Sequence, residues 1–336
     1  MNDLNVYKNI WVFTEIKDHV KVHDCALDIL TKAREIADQL KQKLVAILLS
    51  LDAEQYLSTI EEYGVDEIIY FSHIELKHYH EQIFTHLIYD LIKKYKPSIF
   101  LFPSTEAGNA LAARLAYRCK TGLVSDVLNL ELSAEHGNNL LLTDKPAYGG
   151  NALVKIICPY TRPQMCTITS GTFQKKKFKK KNVIKTKLEY NFDKNKIKIK
   201  ILSAPTRKDK PSSSLSDAKF VIGGGHGLNT KKNFEKLFEL AKFTNGQVGG
   251  TRRPIDAGWM PEHLQIGISG ETIYPNLYLS FGISGAIQHI VGISQSKTIV
   301  AINKDPNASI FKLADYCIIA DAEEMLEGLL HYYKIS

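Results

Sequence analysis

The sequence predicts an α/β protein of two domains, and three patterns carry that expectation. Short β-rich runs alternate with helical periods over the first 120 residues. A stretch rich in Pro, Ser and charge interrupts the pattern near residue 204, and strand–helix alternation then resumes. The length agrees, since 336 residues at roughly 150 per domain gives about two, each large enough to bury a core without disulfide or metal staples.

In the first domain, segments 10–14, 44–50, 67–71 and 99–102 are the strand candidates. Between the first two, Val22, Cys25, Ala26, Ile29, Leu30, Ala33, Ile36, Ala37 and Leu40 recur every three or four residues and mark one apolar helix face. Segments 83–95 and 107–117 follow the same logic. Short connections between such elements imply parallel pairing with right-handed crossovers, hence a sheet covered on both faces. After Val124 the strand-like pieces 139–143, 153–158, 165–169, 183–190 and 196–202 follow one another directly and predict an antiparallel extension of the same domain. Residues 1–203 therefore form the first domain, 204–216 a linker and 217–336 the second domain. The latter offers strands at 220–222, 277–281, 298–302 and 316–319, and helices at 231–243, from about 285, and at the end. This is a second doubly wound unit without the antiparallel appendage.

With 44% apolar and 10% aromatic residues the chain is no disordered tail. No uninterrupted apolar stretch approaches the roughly 18 residues of a membrane span. The first 22 residues carry Asp3, Glu15 and Asp18 and no Arg, which fits neither a secretory nor a transit peptide. The cytoplasm is the expected compartment. Five scattered cysteines without a CxxC, Cys25, Cys119, Cys158, Cys166 and Cys317, suit a reducing environment and read as small buried hydrophobes. Charge is uneven: between residues 175 and 210 fifteen Lys and Arg face three acids, a net +12 within a whole-chain +7 that leaves the remainder at −5. Ile197, Ile199 and Ile201 alternate there with Lys196, Lys198 and Lys200, so a solvated strand face is favoured over a nucleic-acid or membrane patch.

Several loops could carry chemistry. The run Gly223-Gly224-Gly225-His226-Gly227 lies after a strand and before a helix, where a pyrophosphate could approach the backbone. It lacks a P-loop, and glycine turns at such places are common. Gly249-Gly250-Thr251-Arg252-Arg253-Pro254 combines backbone freedom with two guanidiniums that can bind an anion or form a plain surface pair. Gln265-Ile266-Gly267-Ile268-Ser269-Gly270 and Gly282-Ile283-Ser284-Gly285-Ala286-Ile287-Gln288-His289 end or follow apolar runs. The second leads into a helix N-terminus whose free N–H groups favour an anion, with His289 about one turn in. Asn303-Lys304-Asp305 and Asp321 stand at strand ends; Asp321 is also placed to cap the last helix. In an open parallel sheet, loops after several strands converge on one crevice, so these pieces predict a single site.

The segments 249–259, 264–271, 274–292, 299–316 and 318–321, supported by 102–116, Ser125-Asp126 and 145–156, together resemble the alpha (large) subunit of electron-transfer flavoprotein over essentially the whole chain. The resemblance implies a nucleotide-hydrolase-like N-terminal α/β domain that contacts a smaller beta subunit, and a C-terminal FAD-binding domain. It implies a FAD site at His226, Thr251, Arg252 and the Gln265, Ile266, Gly267, Ile268, Ser269 loop. Ser284, Gly285, Ala286, Ile287, Gln288, His289, Asn303 and Asp321 complete that site. Arg252 would lie near the flavin's reactive edge and His289 near N1–O2, where one-electron reduction places negative charge that a nearby imidazole, guanidinium or helix N-terminus stabilises. His226, Ile268 and Glu271 depart from the family, which usually has Arg, Gln and Lys or a similar residue there. Electrons would come from a flavin dehydrogenase such as acyl-CoA dehydrogenase, as in fatty acid β-oxidation, or be exchanged with NADH or ferredoxin in a bifurcating complex. Gly149-Gly150-Asn151 and Arg162-Pro163-Gln164-Met165 look closer to the bifurcating branch, whereas Ile168-Thr169-Ser170-Gly171 departs from it. A cofactor-poor scaffold and a stand-alone nucleotide-binding enzyme are the alternatives; for the latter the crevice offers no paired carboxylates, GxSxG or HExxH.

Overall fold

The computed structural model describes residues 4–17, 19–133, 140–147, 152–178, 182–190, 198–199, 201, 215 and 218–335. Two compact units, Met1–Thr206 and Arg207–Ser336, divide the chain. Most of the 204–216 stretch lies outside the described residues, but Leu215 is buried in the core of the second unit, so this residue is not free linker.

The first unit opens with β1 (Ile10–Phe13), a small hairpin of β2 (Ile16–Lys17) and β3 (Lys21–Val22), and α1 (Asp24–Leu40). Next come β4 (Leu44–Ser50), α2 (Leu57–Glu61), β5 (Glu67–Ser72), α3 (Glu81–Tyr95), β6 (Ile99–Pro103), α4 (Glu106–Cys119) and β7 (Leu123–Val127). The unit closes with β8 (Asn129–Leu132), β9 (Leu141–Ala147), β10 (Ala152–Ile156), β11 (Gln164–Ile168) and β12 (Ile184–Lys187). Seven strands form one sheet in the order β12-β5-β4-β1-β6-β11-β7, every pairing parallel. Alternation along β1 explains the two-sided cover: Ile10 and Val12 pack with Cys25, Ile29 and Ala33 of α1, while Trp11 and Phe13 pack with Leu87 of α3 and Leu111 of α4. A strand buried on both faces reads as an unbroken apolar run.

The expected antiparallel extension holds for β9 and β10, which form their own sheet with β8, a strand the sequence pattern does not mark. It does not hold for the next two pieces. β11 inserts between β6 and β7, with Met165 in one core and Cys166 and Ile168 in the other, and β12 adds a parallel edge to β5. Local periodicity marks a strand without naming its partner, which tertiary packing decides. The Lys–Ile alternation after residue 195 falls partly outside the described residues. Lys198, Ile199 and Ile201 carry no strand pairing; the amides of Lys198 and Ile199 donate to Gln82 Oε1 at 2.8 and 3.1 Å instead. Lysines of the basic segment are ion-paired at the sheet edge: Lys177 with Glu62, Lys185 with Glu61 and Lys187 with Glu54. Among the cysteines, Cys25 and Cys166 are buried as expected, whereas Cys317 is exposed; all five are free thiols.

The second unit runs β13 (Phe220–Gly224), α5 (Lys231–Thr244), β14 (Gln247–Gly250), α6 (Arg252–Asp256), β15 (Leu277–Phe281), α7 (Ile287–Ile293), β16 (Ile299–Asn303), β17 (Tyr316–Ile319) and α8 (Ala322–Ile335). Its five strands are all parallel in the order β14-β13-β15-β16-β17. Strand β14, with two of its four residues glycine, occupies a stretch whose sequence pattern reads as a loop.

Candidate functional site

The strand order of the second unit reverses direction between β13 and β15, and in such sheets ligands bind at that switch point, beyond the carboxyl ends of the strands. The two loops leaving it touch through backbone. Gly225 N–H donates to Phe281 O at 2.9 Å and Gly227 N–H to Gly282 O at 3.0 Å. A Cβ on Gly225 would stand 2.1 Å from Gly282 O, and Gly282 itself has φ +62°; side chains here would force the loops apart.

Above this contact opens a cavity of ≈ 570 Å³, and every strand of the sheet sends a loop to its wall. His226 comes from the loop after β13; Thr251, Arg252 and Arg253 follow β14; Ser284, Ala286, Gln288 and His289 follow β15; Asn303 and Lys304 end β16; Asp321 and Ala322 follow β17. The connection between α6 and β15 adds Gln265, Ile266 and Ser269. The expected convergence is present. Gly267, Ile268, Gly285 and Ile287 are the sequence-derived residues that the cavity wall does not include. Ile268 N–H donates to Gln288 O at 2.8 Å, and its side chain is 65% exposed, as that of Ile287 is 52%. Gly267 and Gly285 act through backbone: a Cβ on either would strike Gln288 O or Ile310 N.

The wall residues are held by short-range bonds. Thr251 stands at the N-cap of α6 without a side-chain capping bond, so its hydroxyl is not spent on the helix. Arg252 Nε pairs with Asp256 Oδ1 at 2.7 Å, Gln265 Nε2 donates to Ser269 Oγ at 2.6 Å, and Asn303 Nδ2 donates to Ile283 O at 2.8 Å, tying the β15 and β16 loops together. Asp321 caps α8, Oδ1 accepting from Glu323 N at 2.8 Å, while still facing the cavity. His226 stacks on Trp259 with ring centroids 5.2 Å apart.

His289 is held through both ring nitrogens. It is buried, its Nδ1 is 3.0 Å from Ile266 O and its Nε2 2.9 Å from Tyr278 Oη. Burial holds its pKa near 4, against a partly compensating rise from the Ile266 carbonyl. The ring is therefore neutral at neutral pH and contributes no positive charge; the cations of the wall are Arg252, Arg253 and Lys304. α7, expected from about residue 285, runs seven residues from Ile287. Arg253, Lys304, Gly225, Gly227, Gly282, Ile283 and Ala322 line the cavity although the resemblance does not place them in the FAD site. All but Ala322 sit inside motifs visible in the sequence.

Comparison with known proteins matches residues 10–189 to the electron transfer flavoprotein domain and 214–294 to the electron transfer flavoprotein FAD-binding domain. The second match spans most of the loops that wall the cavity. The chain belongs to the electron-transfer flavoprotein alpha-subunit family. It is 38% identical over 328 residues to "Protein FixB" of Clostridium saccharobutylicum, covering 98% of this chain and 97% of that protein. It is 35% identical over 338 residues to an electron transfer flavoprotein subunit alpha of Clostridium acetobutylicum, covering 98% of each. A third relative, the lactate dehydrogenase (NAD(+),ferredoxin) subunit LctC of Acetobacterium woodii, is 33% identical over 331 residues, 98% of this chain and 77% of that protein. As in its family, the second unit is a flavin-binding domain.

Proposed function

We propose that the flavin is FAD and that the chain serves, with a smaller beta subunit, as an electron carrier. The observation that carries this is the meeting of loops from all five strands around a cavity walled by Arg252, Arg253 and Lys304. Guanidinium and ammonium groups are donors a diphosphate needs, and the hydroxyls of Thr251, Ser269 and Ser284 add neutral donors. Bound flavin would supply the electron transfer; the chain's share is to bind, orient and surround it with fixed charge. Asn303 and the Gln265–Ser269 bond keep the loops in register, so little reorganisation follows when charge arrives.

A flavin dehydrogenase such as acyl-CoA dehydrogenase is the proposed donor and the cytoplasm the proposed compartment. The relative named for an NAD(+),ferredoxin-linked lactate dehydrogenase favours a second reading, exchange with NADH or ferredoxin in a bifurcating complex. Of the segments that speak to that branch, Gly149-Gly150-Asn151 lies outside the described residues and Gln164-Met165 opens β11. The scaffold and stand-alone enzyme alternatives are not favoured by the family matches.

Calorimetric titration of the co-expressed, flavin-stripped complex with FAD, FMN and riboflavin tests the reading. FAD should bind at least about tenfold more tightly than riboflavin, a difference of ~1.4 kcal/mol. Arg253→Ala and Lys304→Ala should erode the FAD affinity and leave riboflavin alone. Equal affinities for all three would remove the diphosphate from the account.

A further inference from the structure

Tyr278 is not among the residues of the cavity wall, yet it touches the side chain that holds one. It sits in β15, fully buried, with Oη 2.9 Å from His289 Nε2. On the other side of the ring, Nδ1 meets the carbonyl oxygen of Ile266 at 3.0 Å. A carbonyl oxygen can only accept, so Nδ1 carries the proton; Nε2 then presents a lone pair, and the phenol must donate. One arrangement of protons satisfies all three groups. Space for it is reserved in the neighbouring strand, because a Cβ on Gly223 would lie 1.9 Å from Tyr278 Oη. Both ionisable members are neutral: burial lowers the imidazole pKa and raises that of the phenol.

The far end of this chain of bonds is the loop that presents Gln265 and Ser269 to the cavity. Its backbone is pinned by Ile266 N–H to Gly250 O at 2.9 Å and Ile268 N–H to Gln288 O at 2.8 Å. His289 adds a side-chain anchor from below. We propose that Tyr278 is a positioning residue for the flavin loop, acting through His289 by fixing its tautomer and hence its bond to Ile266. The proposal deepens the flavin-binding reading and rests on it. Removing the hydroxyl would leave the Nε2 lone pair buried without a donor, which is unfavourable. The ring could relieve this only by changing tautomer, which would sacrifice the Ile266 bond.

The test uses the full chain with its partner subunit and ¹⁵N-labelled histidine. His289 should show a single protonated nitrogen, Nδ1, unchanged as pH falls from 8 to about 5.5. In Tyr278→Phe the two nitrogens should move toward a tautomer mixture, and the FAD dissociation constant should rise about 5- to 30-fold. In a His289→Gln background the same change should have little further effect. A proton on Nε2 in the wild type, or a Tyr278→Phe variant with unchanged tautomer and an FAD affinity within twofold, overturns the proposal. Should Tyr278→Phe fail to fold, 3-fluorotyrosine at position 278, a stronger donor of nearly the same shape, must shift the His289 Nε2 resonance; an unmoved resonance overturns it. If the wild type binds no flavin, that failure belongs to the cofactor reading. Amide exchange at Ile268 then decides this one, faster in Tyr278→Phe if the relay positions the loop and unchanged if it does not.

Discussion

In an unfolded chain His289 would titrate near the ordinary imidazole value of 6.5, while in the fold burial holds it near 4. Between those values the unfolded state binds more protons, so the second unit should lose stability as pH falls from 6.5 toward 4, by on the order of 3 kcal/mol at the acid end. His289→Gln should be less stable at pH 7.5, because it breaks the Tyr278–Ile266 connection, but its stability should depend less on pH. Urea unfolding followed by Trp259 fluorescence in a Trp11→Phe background checks both. Glu15 has the opposite sign. It lies between β1 and β2, accepts from Thr105 Oγ1 at 2.5 Å, and burial raises its pKa to about 6 despite that bond and nearby Lys17. Its protonated form is favoured in the fold, so the associated stability is present below pH 4.5 and lost as pH rises through 6. Glu15→Gln should therefore stabilise the first unit at pH 8 by up to about 2 kcal/mol and change little at pH 4.5, read from Trp11 fluorescence in a Trp259→Phe background.

Among the elements, β13, β15 and the loop between β15 and α7 carry the site, and glycine is what lets them meet. Gly285 has φ +86°, and a Cβ there would stand 2.2 Å from Ile310 N, whose N–H donates to Ser284 O at 3.1 Å. Gly285→Ala should cost more than about 2 kcal/mol. By contrast Gly328, inside α8 with open space around it, should gain about 0.5–1 kcal/mol on replacement by Ala. Thermal denaturation of the two variants separates the cases. These elements also show what sequence can and cannot reveal. α1, α5, β15 and β17 were legible because their period or apolar run is local. β14 was missed because Gly249 and Gly250 carry no strand propensity, and the partners of β11 and β12 were misread because pairing is a long-range property. The same division holds at the site. Arg252, Ser284 and Asp321 were visible as polar groups at strand ends. The neutrality of His289 is not visible in sequence, since it comes from burial, which only the packed fold defines.

On the scale of the whole molecule, each unit has its own hydrophobic core, and the described walls of the cavity belong to the second unit alone. The uneven charge resolves in the same terms. Among the described residues of the basic segment, Lys185 and Lys187 form ion pairs at β12 and Lys177 pairs with Glu62, while the cations that face the cavity are three side chains scattered through the second unit. Pooled composition could not have separated these roles; position at the carboxyl ends of parallel strands does. The central claim is that this set of loops holds a flavin and lets it pass electrons singly. The most direct test is an anaerobic reductive titration of the complex purified with its beta subunit, followed in the visible flavin bands. The account expects about one FAD in the second unit's cavity, reduced in two separable one-electron steps, with Arg252→Ala lowering the first potential. A complex that stays colourless after incubation with FAD, or a flavin reduced only by electron pairs whatever stands at position 252, would contradict it.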